Sequence, residues 1–201
     1  MPSDGVTGDS VPSEPLKDDA VEVNVTSTEV PFHGAVWNIR RDAFDYNGQT
    51  IRREYVEHTG AVAVLVEDDE GRILLIKQYR HPVRSRDWEL PAGLLDIEGE
   101  EPLVAARREL AEEADLEAST WEPLVTFNTS PGGSDEVLYV FHASNPGAAP
   151  QTFDREAEEA DIEVRWVPLQ EVVDGILDGR LHNSILSIAA LALHAKKGAR
   201  P

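Results

Sequence analysis

The 201 residues contain no cysteine, which excludes disulfide frameworks and thiolate metal sites. Basic residues are scarce: 18 Lys and Arg stand against 38 Asp and Glu, a formal charge of −20. A field of that sign disfavours nucleic acids and anionic membranes as partners. A small phosphorylated substrate is still compatible with it if divalent cations bridge substrate and acids. Solubility or adaptation to a salty environment accounts for the charge equally well. Long apolar runs are missing too, and none approaches the roughly 20 residues of a membrane span. The N-terminus lacks the basic start and apolar run of a secretory signal, so a cytoplasmic protein is the simple expectation.

An apolar share of 41% is enough for one core, and the length suits one domain or one domain plus a small sheet. Residues 1–20 are rich in Pro, Gly, Ser and Asp, without apolar period, and are expected to form a disordered tail. Residues 21–58 read as a small N-terminal sheet: strands over 21–31, 36–44 and 51–58, the last two joined by a turn at Asn47-Gly48. Two apolar runs around Asp68-Asp69-Glu70-Gly71 predict a hairpin, and 88–90 a short strand that breaks at Pro91-Ala92-Gly93. A helix is expected from about Glu101, with strands over 120–128 and 136–142 joined through Ser130-Pro131-Gly132-Gly133. Residues 144–160 read as a polar loop and 162–167 as a strand. Helices follow over 169–177 and 185–196, the second Ala/Leu-rich and suited to pack on the sheet. The fold class is therefore α+β: a mixed sheet layered between helices over 59–197, preceded by the small antiparallel sheet.

The segment carrying chemistry is GLLDIEGEEPLVAARRELAEEADL, residues 93–116. On a helix, Glu109, Glu112 and Glu113 stand at i, i+3 and i+4, so the three carboxylates share one face. They repel one another and lie late in the helix, where the macrodipole disfavours acids. A hard divalent cation relieves both penalties, and magnesium prefers such oxygen ligands. A solvated surface with local ion pairs is the plain alternative.

The stretch resembles the Nudix box. Glu100, seven residues, Arg108-Glu109, Leu110, Ala111, Glu112-Glu113, Ala114 and Leu116 fit it as they stand. Two departures are visible. Gly93 precedes Glu100 with six residues between them instead of five, and Asp115 occupies the position of the final glycine. A loop insertion is absorbed without moving the helix acids, and Asp tolerates left-handed geometry at a helix end. The resemblance implies a Nudix-type α/β/α sandwich. It also implies Glu109 and Glu113 as main Mg2+ ligands, assisted by Glu112 and the Ala92 carbonyl, with Mn2+ as a substitute. Arg108 would hold the acids in position, and Glu100 would steady the helix start.

Three further features resemble the ADP-ribose pyrophosphatase branch of that family: Trp88-Glu89-Leu90-Pro91-Ala92-Gly93 before the box, Pro131 fifteen residues beyond Leu116, and the strand motifs Arg52-Arg53-Glu54 and Gln78-Tyr79-Arg80. The branch implies a homodimer that exchanges its N-terminal sheets and brings an Arg and a Glu to the partner's substrate. It assigns Arg53 and Arg80 to phosphates or terminal ribose, which suits guanidinium geometry. Glu54 is then an acceptor for adenine, and Leu94 and Glu136 line the ribose side. The implied activity is Mg-dependent cleavage of ADP-ribose to AMP and ribose 5-phosphate. The general base would come from the loop Glu156-Ala157-Glu158-Glu159-Ala160-Asp161, with Glu159 first and Glu158 as runner-up; Glu113 and Glu159 are the residues assigned to catalysis.

Two rivals stay open: hydrolysis of another nucleoside diphosphate sugar such as GDP-mannose, and a module that binds ADP-ribose without cleaving it. A zinc hydrolase fails on ligands, because His33, His58, His81, His142, His182 and His194 form no pair at helical metal spacing.

Overall fold

The computed structural model describes residues 15–153 and 161–199. Among the described residues, ten strands and three helices follow in chain order. Strands β1 (Asn24–His33), β2 (Asn38–Tyr46) and β3 (Gln49–Glu57) form a three-stranded antiparallel sheet of their own. Asn47 (φ 51°) and Gly48 (φ 74°) make the β2–β3 turn in the left-handed geometry that a two-residue hairpin requires.

The larger sheet has seven strands. Its path runs β10 (Glu163–Pro168), β5 (Arg72–Arg80), β4 (Ala61–Glu67), β9 (Val137–Ala148), β8 (Leu116–Asn128), while β6 (Ser85–Glu89) pairs with β5 and β7 (Ala92–Leu94) with β4. Helices cover both faces, which explains why β4 reads as an unbroken apolar run. Ala61, Ala63 and Leu65 face the core formed with α2 (Leu169–Leu177) and α3 (Ser184–Gly198). Val62, Val64 and Val66 face the core under α1 (Pro102–Ala114). This is the expected α/β/α sandwich with a small antiparallel sheet beside it. No helix of the described residues is long and apolar enough to cross a membrane.

The hairpin expected at 61–80 forms around Asp68–Gly71, but it is bonded only near its turn. β4 and β5 pair only at Glu67 and Ile73, then splay apart. The segment around Pro91 fills the opening: the Val64 N–H donates to the Pro91 carbonyl at 2.8 Å, and β7 pairs with β4 from Ala61 to Ala63. The strand that breaks at Pro91 thus resumes at once. β9 also runs to Ala148, well into the expected 144–160 loop, because β8 begins at Leu116 and pairs along it.

Helix α1 starts with Pro102 in its first turn, where a missing N–H costs nothing. Leu110, Ala105 and Ala106 are fully buried beneath it, and Leu110 alone contributes about 1.5–3 kcal/mol. The helix ends at Asp115 in left-handed geometry (φ 53°, ψ 34°), its N–H donating to the Ala111 carbonyl at 3.0 Å. The substituted glycine position is therefore accommodated as expected. The additional loop residue is taken up in a turn closed by the Glu100 N–H on the Ile97 carbonyl, with Gly99 at φ 78°.

Candidate active site

Strand β7 and helix α1 set the acids. Glu113 is buried at 4% exposure, and its Oε2 accepts the Ala92 N–H at 2.8 Å. That bond ties the helix to the residue whose carbonyl is expected as a ligand. Gly93 follows, and a Cβ there would meet the Glu109 carboxylate at 2.0 Å, so only glycine lets that acid lie against the strand.

Arg108 organises the rest. Its Nη2 and Nε donate to Glu100 at 3.0 and 3.2 Å, and its Nη1 to Glu109 at 2.6 Å and Glu112 at 3.2 Å. One guanidinium thus spans three carboxylates that would otherwise repel. The hydrogen bonds from Arg108 hold the Glu100 carboxyl below its usual range, and Glu100 in turn raises Arg108. The expected holding role of Arg108 corresponds to contacts that are present.

Among the described residues, no three His, Asp or Glu groups converge as a ready-made metal cluster. The carboxylates instead engage Arg108 and the Ala92 N–H. Their chemistry nevertheless fits a hard dication: three carboxylates share one helix face, and Gly93 leaves the cradle in which Glu109 sits.

Arg80 lies on β5 and is held from beneath by Glu89 of β6. Arg80 Nε reaches Glu89 at 3.0 and 3.1 Å, and Nη2 at 2.7 Å. Glu89 is buried at 3% exposure and also faces the Gln78 amide at 3.4 Å. The bonds to Glu89 raise the Arg80 pKa, with a smaller contribution from Glu113, which places Arg80 within electrostatic reach of the acids. Glu89 was legible as part of the Trp-Glu-Leu-Pro-Ala-Gly run, but nothing in the sequence gave it a task.

A cleft of about 520 Å³ lies elsewhere, lined by Arg53, Glu54 and Tyr55 of β3 and by Asn128 and the Pro131–Asp135 turn. Arg53, Glu54 and Pro131 are thereby brought together within one chain. The Arg53 Nη1 donates to the Arg52 carbonyl, and Glu54 accepts from Arg41 Nε at 2.8 Å, which holds its carboxyl low. The helix acids do not line this cleft. Leu94 is half-buried and packs against the core formed with α2 and α3. Glu136 accepts from the Thr129 hydroxyl and faces His58 Nε2 at 3.4 Å. Glu158 and Glu159 lie outside the described residues.

Residues 56–187 match the family model described as NUDIX domain. The ADP-ribose pyrophosphatase of Mycobacterium tuberculosis (strain ATCC 25618 / H37Rv) is 44% identical over 170 residues, covering 84% of this chain and 82% of that protein. The ADP-ribose pyrophosphatase of Bacillus subtilis (strain 168) is 34% identical over 180 residues, covering 89% and 96%. A solved structure described as an ADP compounds hydrolase superposes with a TM-score of 0.75 at 18% identity over 92% of this chain and all of that one, a likeness of fold. With the acid helix, its arginine clamp and the glycine cradle in place, the chain belongs to the NUDIX domain family.

Proposed function

We propose that the protein is a Mg-dependent pyrophosphohydrolase that cleaves ADP-ribose to AMP and ribose 5-phosphate. The observation that carries this reading is the set Glu109, Glu112 and Glu113 on one helix face, clamped by Arg108 and seated at Gly93 beside Ala92. The 44% identity to an ADP-ribose pyrophosphatase supports the substrate.

The residues that would hold magnesium are Glu109, Glu112 and Glu113, with the Ala92 carbonyl. A dication held there would supply charge neutralisation at the pyrophosphate oxygens. Arg80, fixed by Glu89, is oriented to pair with a phosphate or the terminal ribose. Arg53, in the cleft beside Pro131, is assigned like Arg80 to the phosphates or terminal ribose, Glu54 to adenine, and Leu94 and Glu136 to the ribose side. Water attacks one phosphorus, the bond to the bridging oxygen breaks, and the water's proton passes to a general base. We assign that base to Glu159, with Glu158 as its alternative. The three-stranded sheet over residues 21–58 is proposed as a homodimer contact, supported by the exposed Val25 and Phe32 on β1.

Turnover of Glu159→Gln and Glu158→Gln, beside Glu113→Gln, tests the assignment. Losses of two or more orders of magnitude are expected for Glu159→Gln and Glu113→Gln with the fold intact, on the order of removing a general base or a metal ligand. Wild-type turnover in Glu159→Gln removes that residue from the mechanism.

A further inference from the structure

His58 sits at the junction of β3 and β4, outside the lining of the cleft but bonded to Asp135 at the end of the Pro131–Asp135 turn. Its ring stacks on Trp37 with centroids 4.0 Å apart and 19° between planes, and its side chain is 8% exposed. Nδ1 accepts the Gly60 N–H at 2.9 Å. In the neutral ring that acceptor role leaves the proton on Nε2. Nε2 lies 3.4 Å from Glu136 Oε1, within ion-pair distance of that carboxylate. The other Glu136 oxygen accepts from the Thr129 hydroxyl, so both oxygens of this 19% exposed carboxylate have partners.

The backbone repeats the connection. The His58 N–H donates to Asp135 Oδ1 at 2.8 Å, and the Val56 N–H to the Gly133 carbonyl at 2.9 Å. Val56 and Ser134 form a β-bridge. The Pro131 turn therefore hangs from residues 56–58 at one end and from the Thr129–Glu136–His58 chain at the other. Trp37, on the loop before β2, stacks on the same imidazole, so the ring adds a side-chain link between the N-terminal sheet and the turn beside the backbone bonds of Val56 and His58.

We infer that His58 is a positioning residue for substrate specificity: through Glu136 and Asp135 it fixes the turn at 130–135 against Arg53, and so sets the width of the cleft that takes the nucleotide sugar. This rests on reading that cleft as the nucleotide-binding side. A ring that holds a wall, and does not touch reacting atoms, acts on substrate binding and leaves the chemical step alone.

The test is His58→Ala, His58→Gln and Thr129→Val, each followed by amide hydrogen exchange over 129–136 and by steady-state kinetics on ADP-ribose. Loss of one contact to a charged group corresponds to about tenfold in binding. His58→Ala is expected to speed exchange across 129–136, and to raise KM about tenfold with kcat within about twofold. His58→Gln, which keeps a donor near the Nε2 position, is expected to recover most of that KM. Thr129→Val, nearly isosteric, should move exchange and KM in the same direction if His58→Ala does not fold. Unchanged exchange in 129–136, or a fall in kcat with KM unmoved, overturns the inference. If wild type cleaves no ADP-ribose, the functional reading fails, while the exchange measurements still decide whether His58 holds the turn.

Discussion

The carboxylate of Glu109 rests so close to Gly93 that a Cβ at that glycine would stand 2.0 Å from its Cδ and Oε1. The pair connects sequence to chemistry directly. The glycine's role is not backbone freedom but the absence of a side chain, which lets a helix acid reach the strand carrying Ala92. Gly93→Ala must push Glu109 aside by an ångström or more. Misplacement on that scale is expected to lower kcat about a hundredfold. The thermal midpoint should shift little if the acid swings outward. Near-wild-type turnover would show that Glu109 does not act from this position.

Arg108 spans Glu100, Glu109 and Glu112, and its removal leaves like charges facing one another. Arg108→Gln is expected to lower the melting temperature by about 2–4 °C without added metal, equivalent to roughly 1 kcal/mol in a chain of this size. Magnesium should restore more stability to this variant than to wild type, because a dication relieves the same repulsion. Equal magnesium shifts in both proteins would contradict a shared role for Arg108 and metal.

Acid stability follows from the same clamp. The Arg108 hydrogen bonds hold the Glu100 carboxyl below its ordinary value of 4.5, so folding favours the ionised form. That stabilisation is fully present above pH 4.5 and is lost as pH falls through the lower folded value. Melting temperature measured downward from pH 6 should therefore drop more steeply in wild type than in Glu100→Gln. Parallel profiles would mean that the Glu100–Arg108 pair contributes nothing in solution.

Much of this was legible in the sequence because helical spacing alone places Glu109, Glu112 and Glu113 on one face. The splayed β4–β5 pair was not legible: two apolar runs around Asp-Asp-Glu-Gly look the same whether their strands bond to each other or, as here, β4 to β7 and β9 and β5 to β6 and β10. Nor did any pattern tie Glu89 to Arg80 or His58 to Glu136. The first pair forms across two strands and the second across 78 residues of chain, and such partners are set by register rather than by local spacing.

Glu89 is the buried side of its pair, so removing it strands Arg80. Glu89→Ala is expected to destabilise the protein by about 1–3 kcal/mol, less than for a fully buried pair because Arg80 is half-exposed. It should also raise KM for ADP-ribose about tenfold, the effect of losing one charged contact. An unchanged KM would remove Arg80 from substrate binding.

The central claim is tested most directly by AMP release from ADP-ribose with and without magnesium, beside GDP-mannose. Magnesium-dependent release with clear preference for ADP-ribose is the predicted result. A preference for GDP-mannose would contradict the substrate reading, and binding of ADP-ribose without release of AMP in magnesium or manganese would contradict the claim that the protein is a hydrolase of that compound.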